Sequence, residues 1–291
     1  MILAPLRGVT IRCFRETFAD VIAACGFTEA ITPFIPAMPG LDPLKDRELR
    51  GGERRMRITP QFIGKDPRAL KDCLERIKGA GYDTADLNAG CPFPMVRNKG
   101  RGSGILRTPD VLRRMLETGC ETMGEGKFSL KARLGVDRTD ELLALMPMIN
   151  EFPLRFLTVH ARTARQMYSG VVDAESLAKV REVAKVPIVI NGDLPFPPNF
   201  PNFPNLPNHP NLPNVPSMIG RGFIRYLGSR EDAGELLERY IDASVTELCG
   251  DRPVLGRIKE LVAYWKDLPR WRRKWNVLKL CRSVDELRTI I

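Results

Sequence analysis

Eight short β-rich runs alternating with amphipathic helical stretches, no Gly-x-Gly-x-x-Gly turn after any of them, and no strand pattern beyond about residue 231 together predict the fold class. It is α/β: a (β/α)8 TIM barrel followed by a small C-terminal all-helical domain. Alternation of this kind implies a parallel sheet covered on its outer side. The missing Gly-rich fingerprint disfavours the doubly wound arrangement and leaves the closed barrel. The expected division is a catalytic barrel over 1–228 and a basic helical domain over 229–291.

The predicted strands are 2–5, 27–32, 58–63, 84–87, 128–134, 154–159, 186–190 and 217–219. Between several of them lie predicted helices. The stretch 67–79 carries Leu70, Cys73, Leu74 and Ile77 at helical spacing behind a proline in the first turn. Helices are also expected over 109–118, 140–150 and 174–184. In place of a helix between the last two strands, residues 195–216 hold a Pro/Asn-rich tract in which Asn-x-Pro repeats. A proline at every third position removes amide donors and forbids a helix, so polyproline II or irregular loop is expected there. His209 lies inside it with no evident role.

The tail is predicted as helices over 231–249, 253–266, 270–280 and 284–290. In the third, Trp271, Trp275 and Leu278 share one face, while Arg270, Arg272, Arg273, Lys274 and Lys279 occupy the others. Between Arg252 and Arg282 only Glu260 and Asp267 oppose the basic residues. A one-sided run of this kind fits a surface that tracks phosphates. It agrees with a formal net charge of +10, which alone points only weakly to a polyanionic partner.

Composition bounds the rest. The 291 residues, 43% hydrophobic and 27% charged, are ordinary for a globular protein with a large core. No apolar run is long enough to span a bilayer, and Met1–Arg7 reads as a first strand rather than a secretory signal. Seven scattered cysteines without a CxxC pair point to neither a zinc site nor a disulfide framework, and a reducing cytoplasm is the simplest compartment. No metal and no membrane association are expected, and a monomer is the simplest assembly.

In a parallel barrel the reactive groups come from the C-terminal ends of the strands. Those ends hold Ala4-Pro5-Leu6, Gln61, Asn88-Ala89-Gly90-Cys91-Pro92, Lys131-Ala132-Arg133, His160-Ala161-Arg162-Thr163, Asn191-Gly192-Asp193 and Gly220-Arg221-Gly222. The glycine turns after the last two strands expose backbone N–H groups suited to a phosphate, and Arg221 adds charge. Lys131, Gln61 and His160 could hydrogen-bond the polar edge of a flat ring. Flavin mononucleotide (FMN) suits such a set, with its phosphate beside the final strands. Taken singly, Gly192 and Gly220 are equally well read as turn residues, and Cys91 as a buried spectator thiol.

Several runs, in order, resemble the tRNA-dihydrouridine synthase family. They are Ala4-Pro5-Leu6-x-Gly8-Val9-Thr10, Asn88-x-Gly90-Cys91-Pro92 with Val96 and Gly104-Ile105-Leu106, Lys131-x-Arg133-Leu134-Gly135, His160-x-Arg162-Thr163, Asn191-Gly192-Asp193 and Met218-Ile219-Gly220-Arg221-Gly222. The Asn-x-Gly-Cys-Pro run is the most specific. Arg257-Ile258-Lys259 followed by Trp265 resembles the bacterial branch C of that family.

The resemblance implies FMN-dependent reduction of uridine in tRNA to 5,6-dihydrouridine, with hydride from reduced flavin to C6 and a proton from Cys91 to C5. It implies that FMN is held by Pro5, Leu6, Arg7, Gln61, Lys131, His160, Asn191, Gly192, Asp193, Gly220 and Arg221, and that NADPH re-reduces it. Asn88 and Arg133 would face the target uridine or adjacent RNA, with Arg257, Lys259 and Lys279 on the RNA-binding tail. The chain departs from the family at Leu6, where methionine is usual, and at Ile11 and Pro33, where acidic residues are usual. Two other readings stand beside this one: a flavin barrel acting on a free pyrimidine, and an RNA-binding homologue with impaired catalysis.

Overall fold

The computed structural model describes residues 1–50, 56–193 and 216–291; apart from Pro216, the Asn-x-Pro tract lies outside the described residues. Ten strand segments form one sheet in which every pairing is parallel. They are β1 (Ile2–Leu3), β2 (Glu29–Ile31), β3 (Ile35–Pro36), β4 (Arg57–Thr59), β5 (Gln61–Ile63), β6 (Ala85–Ala89), β7 (Phe128–Gly135), β8 (Leu157–Thr163), β9 (Ile188–Asn191) and β10 (Ser217–Ile219).

β2 and β3 are two halves of one stave, as are β4 and β5. β2 pairs with β4, β3 with β5, and β1 with both β2 and β10, so eight staves close into the predicted barrel. The predicted strands 27–32 and 58–63 are each broken in two. Pro33 and Pro60 explain the breaks, since neither offers an amide to the ladder. Side-chain and carbonyl bonds bridge the gap: Gln61 N donates to Thr32 Oγ1 at 3.0 Å, and Asp86 N to Pro60 O at 2.9 Å. β8 also runs to Thr163, past its predicted end at 159, so His160 and Arg162 lie within the strand.

Strand periodicity separates two chemistries. Leu87, Ala89, Leu130, Ala132, Leu134, Val159 and Ala161 belong to the apolar layer beneath the outer helices. Asp86, Asn88, Ser129, Lys131, Arg133 and His160 alternate with them and point inward. Ile2, Ala4, Ile31, Phe156, Val189 and Met218 form a separate apolar cluster, of which Ala4 and Met218 reach the cavity described below.

The outer layer includes helices Pro67–Gly79, Pro109–Met123, Glu141–Ile149 and Ala174–Val183. The first is capped by Asp66, whose carboxylate accepts from Arg68 N at 2.9 Å, and buries the predicted Leu70, Cys73, Leu74 and Ile77. Helices Arg12–Thr17, Ala19–Ala24 and Arg221–Ser229 were not foreseen.

The tail forms helices Ala233–Glu247, Asp251–Val262, Pro269–Leu278 and Val284–Arg288, close to the predicted four. The expected boundary at 228/229 falls inside one hydrophobic cluster. Leu3, Phe14, Phe18 and Phe223 of the barrel share it with Tyr240, Ile258, Trp265, Trp271 and Leu287 of the tail. Both tryptophans also bond across the boundary: Trp265 Nε1 donates to Ile224 O at 2.7 Å and Trp271 Nε1 to Gly228 O at 2.8 Å. Among the described residues no helix is long and apolar enough to cross a membrane.

Candidate active site

The C-terminal ends of the staves surround a cavity of about 930 Å³. Of the residues expected at a cofactor, Pro5, Leu6, Arg7, Lys131, His160, Asn191, Gly192, Asp193, Gly220 and Arg221 all line it, together with Cys91, Asn88 and Arg133. Gln61 does not. It is fully buried below the cavity floor, and its amide bonds to Asp86 and Asn88.

The Cys91 loop is fixed through its backbone. Asn88 Oδ1 accepts from Gly90 N at 3.0 Å and from Cys91 N at 2.9 Å. Gly90 O accepts from Arg133 Nε at 2.8 Å, and Cys91 O accepts from Ser103 N and Oγ at 3.0 and 2.9 Å. Gly102, at φ +57°, lets the following segment come close, since a Cβ there would sit 2.8 Å from that of Cys91. Burial pushes the Cys91 thiol above its ordinary value, opposed by the Phe93 amide and by Arg133, Arg7 and Lys131. The thiol is therefore protonated at neutral pH. It can give a proton, but it is not poised as a thiolate nucleophile.

The cavity is strongly cationic. Arg133 is buried; besides Gly90 O it donates to Thr163 O at 2.8 Å and Met167 O at 2.7 Å, and burial lowers it to about 10. Lys131, half-buried, has no carboxylate within ion-pair distance among the described residues, and desolvation followed by repulsion from Arg133 brings it down to about 8. Burial and the surrounding Arg133, Lys131, Arg162 and Arg221 hold His160 well below its ordinary value, so the imidazole is neutral. Below them, desolvation raises Asp86 to about 7, against the opposing hydrogen bonds from Ser129 and Gln61.

On the other side of the mouth, Asp193 pairs with Arg162 at 2.5 Å and with Arg221. Arg133 and Arg221 both stand over the Tyr168 ring, at 5.5 and 5.4 Å from its centroid. Gly220 caps helix Arg221–Ser229, whose first amides open beside Gly192 at the cavity. Gly192 has φ +117°, and a Cβ on it would lie 2.7 Å from His160 Cδ2. Cationic side chains and helical amides that have no partner among the described residues together make a corner suited to an anion.

Sequence reasoning gave no place at the cavity to Phe34, Phe93, Tyr168, Glu260 or Tyr264, which line it. Glu260 and Tyr264 arrive from the tail, and the Glu260 carboxylate abuts Gly8, where a Cβ would lie 2.3 Å from its oxygens. The basic tail residues divide. Arg257 pairs with Glu247 at 2.6 Å, and Lys259 donates to Cys281 O at 2.6 Å, so both serve the fold's own bonding. Lys279 is exposed, as are Arg252, Lys266, Arg270, Arg272, Arg273 and Arg282.

Residues 2–198 match the family model described as dihydrouridine synthase. The tRNA-dihydrouridine synthase B of Vibrio vulnificus is 28% identical over 198 residues, which cover 68% of this chain and 61% of that protein. The synthase B of Escherichia coli K12 is 28% identical over 200 residues, with the same coverage of each. That of Serratia marcescens is 26% identical over 270 residues, 91% of this chain and 78% of its own. These relatives carry the B name, whereas the tail motif resembles branch C. Among solved structures, an old yellow enzyme homologue from Zymomonas mobilis is similar in fold, with a TM-score of 0.54 at 14% identity over 77% of this chain and 85% of that one. The family model spans more than half of the sequence, including the Asn88–Cys91 and Lys131–Arg133 segments at the cavity: the chain belongs to the dihydrouridine synthase family.

Proposed function

We propose that this protein reduces uridine in tRNA to 5,6-dihydrouridine, using FMN in the cavity and NADPH as the source of electrons. The observation that carries the reading is a protonated, backbone-pinned Cys91 thiol on the wall of a cationic cavity with an open helix N-terminus.

The residues present fit FMN. The phosphate belongs at the first amides of helix Arg221–Ser229, where Arg221 and the Gly192 turn supply charge and close backbone approach. The isoalloxazine has a donor- and acceptor-bearing edge that matches Lys131 and the neutral imidazole of His160. Bound there in its reduced form, the flavin supplies the hydride for C6 of the base. Cys91 supplies the proton for C5 from the opposite face, so the hydrogen added to the double bond arrives as hydride plus proton. Arg133, held by three carbonyls, keeps the Cys91 loop in place and leaves its remaining guanidinium face toward the cavity for the uracil carbonyls. A base inside a folded RNA reaches such a cavity only after leaving its stack. The exposed cations of helix Pro269–Leu278 give the surrounding phosphates a surface, which a free pyrimidine would not need.

The test is mass spectrometry of tRNA from cells with and without the protein, mapping uridines that lose their two additional mass units. In vitro, Cys91→Ala should keep the yellow flavin and lose about 100-fold or more of turnover, the range expected for removal of a general acid. Unchanged turnover would remove Cys91 from the reaction.

A further inference from the structure

A chain of hydrogen bonds with a single direction runs from the barrel interior to the Cys91 loop. The amides of Gly90 and Cys91 can only donate, so Asn88 presents Oδ1 to them. Its Nδ2 therefore points away and donates to Gln61 Oε1 at 2.7 Å. Gln61 Nε2 in turn donates to Asp86 Oδ2 at 2.7 Å, and Asp86 Oδ1 accepts from Ser129 Oγ at 2.6 Å. From Asp86 Oδ2 to the loop every link pairs an N–H donor with an oxygen acceptor, a protonated Asp86 can keep its proton on Oδ1 toward Ser129 Oγ without reversing them, and all six residues are buried. Reversing the Gln61 amide would set its NH2 against that of Asn88. Reversing Asn88 in turn would set its NH2 against two backbone N–H groups.

We propose that Asp86, which does not line the cavity, is a positioning residue. By presenting an acceptor to Gln61 it fixes the orientation of two successive amides and thereby holds the backbone N–H groups of the Cys91 loop. The carbonyls of the same loop are held independently by Arg133 and Ser103. Loss of Asp86 thus frees one side of the loop and leaves the other fastened. The link to catalysis rests on the proposed role of Cys91; the link to loop geometry does not.

Amide hydrogen exchange at Gly90 and Cys91 reads the loop directly, in the full-length flavoprotein, without RNA or reductant. Asp86→Leu leaves Gln61 Nε2 without an acceptor, and exchange at both amides should quicken by about tenfold or more, the factor for one buried hydrogen bond. Asp86→Asn can still turn a carbonyl oxygen toward Gln61 and should keep wild-type protection. The decisive variant is Asp86→Leu combined with Gln61→Glu. A carboxylate at 61 has no NH2 to turn toward Asn88, so protection at 90 and 91 should return although residue 86 remains apolar. A role for Asp86 in packing or net charge alone predicts no such rescue.

Should Asp86→Leu fail to fold, Gln61→Met, which cuts the chain, and Gln61→Glu, which keeps an acceptor for Asn88, give the same contrast: release in the first and retention in the second. Equal protection of Gly90 and Cys91 in wild type and Asp86→Leu, or no return in the double variant, overturns the proposal; so does full protection in Gln61→Met. Dihydrouridine turnover should fall and recover in parallel while flavin stays bound. A protein that forms no dihydrouridine yet shows release and rescue would sink the proposed reaction and leave the positioning role standing.

Discussion

Placing a methyl group on Gly192 puts the anion corner and the imidazole under strain together. At φ +117° an L-residue is strained by about 1–3 kcal/mol. The new carbon would also sit 2.7 Å from His160 Cδ2, 3.1 Å from its Nε2 and 3.3 Å from Val172 Cγ1, closer than carbon atoms tolerate. The ring can yield only by giving up its contact with Arg162 Nη1 and moving into the cavity, so the crowding adds about 1–3 kcal/mol, as for overpacked cores generally. Gly192→Ala should therefore lose about 2–6 kcal/mol between folding and ligand binding. Urea unfolding measures the first share. Titration of flavin fluorescence measures the second, where a displaced His160 should weaken binding by about tenfold or more. Gly256→Ala is the control: the residue lies in helix Asp251–Val262 with nothing within 4 Å of its added carbon, and the change should stabilise by about 0.5–1 kcal/mol. A Gly192→Ala protein that unfolds at the wild-type urea concentration and binds flavin with wild-type affinity would refute the account of this turn.

Other outcomes follow from separate parts of the molecule. Arg155 grips the buried Glu29 with bonds of 2.6 and 2.7 Å, and Thr59 donates to the same carboxylate, so Arg155→Met should cost about 3–5 kcal/mol in urea unfolding and leave flavin affinity unchanged. The folded chain holds the Asp86 proton up to about pH 7, whereas the open chain releases it near 3.8, so this group's contribution to stability falls as pH rises through that window. Urea midpoints of Asp86→Asn should lack that fall, and a wild-type excess growing toward pH 7 would contradict it. Lys279→Glu should weaken tRNA binding and flatten its salt dependence by about one phosphate contact or more in filter-binding assays. Lys259→Met should instead act on thermal unfolding, because its ammonium serves the carbonyl of Cys281.

Much of the barrel was legible because strands and helices repeat with different periods, and strand ends collect the chemistry of the fold. The set from Pro5 to Arg221 could be assembled on that basis. What escaped has local causes. Helix Arg221–Ser229 begins at a Gly-Arg-Gly run that reads as a turn, and helices Arg12–Thr17 and Ala19–Ala24 are too short to show a period. Gln61 reads as a cofactor residue from its place near a strand's C-terminal end and from the family resemblance, yet β5 begins at it. Its partners Asp86 and Asn88 lie on the neighbouring stave, and only register reveals that they use up its amide. Charge counting likewise treated Arg257, Lys259 and Lys279 alike, whereas tertiary contacts with Glu247 and Cys281 O set the first two apart. Tyr168 carries no signal at all in the sequence; its place between Arg133 and Arg221 depends on how the chain turns after β8.

The aromatic layer joining barrel and tail bears on how the protein comes off the ribosome. Phe14 and Phe18 are synthesised early, but the ring they pack against, Tyr240, lies 5.9 and 5.4 Å away and more than two hundred residues later in the chain. At synthesis rates of about 5–20 residues per second, those phenylalanines, already paired with each other, wait roughly ten seconds or more for that ring. During that interval the apolar surface that the tail helices cover in the folded protein stays open. Removing the tail from helix Ala233–Glu247 onward would leave that face uncovered permanently, so a chain shortened there is expected to aggregate before its flavin chemistry can be tested.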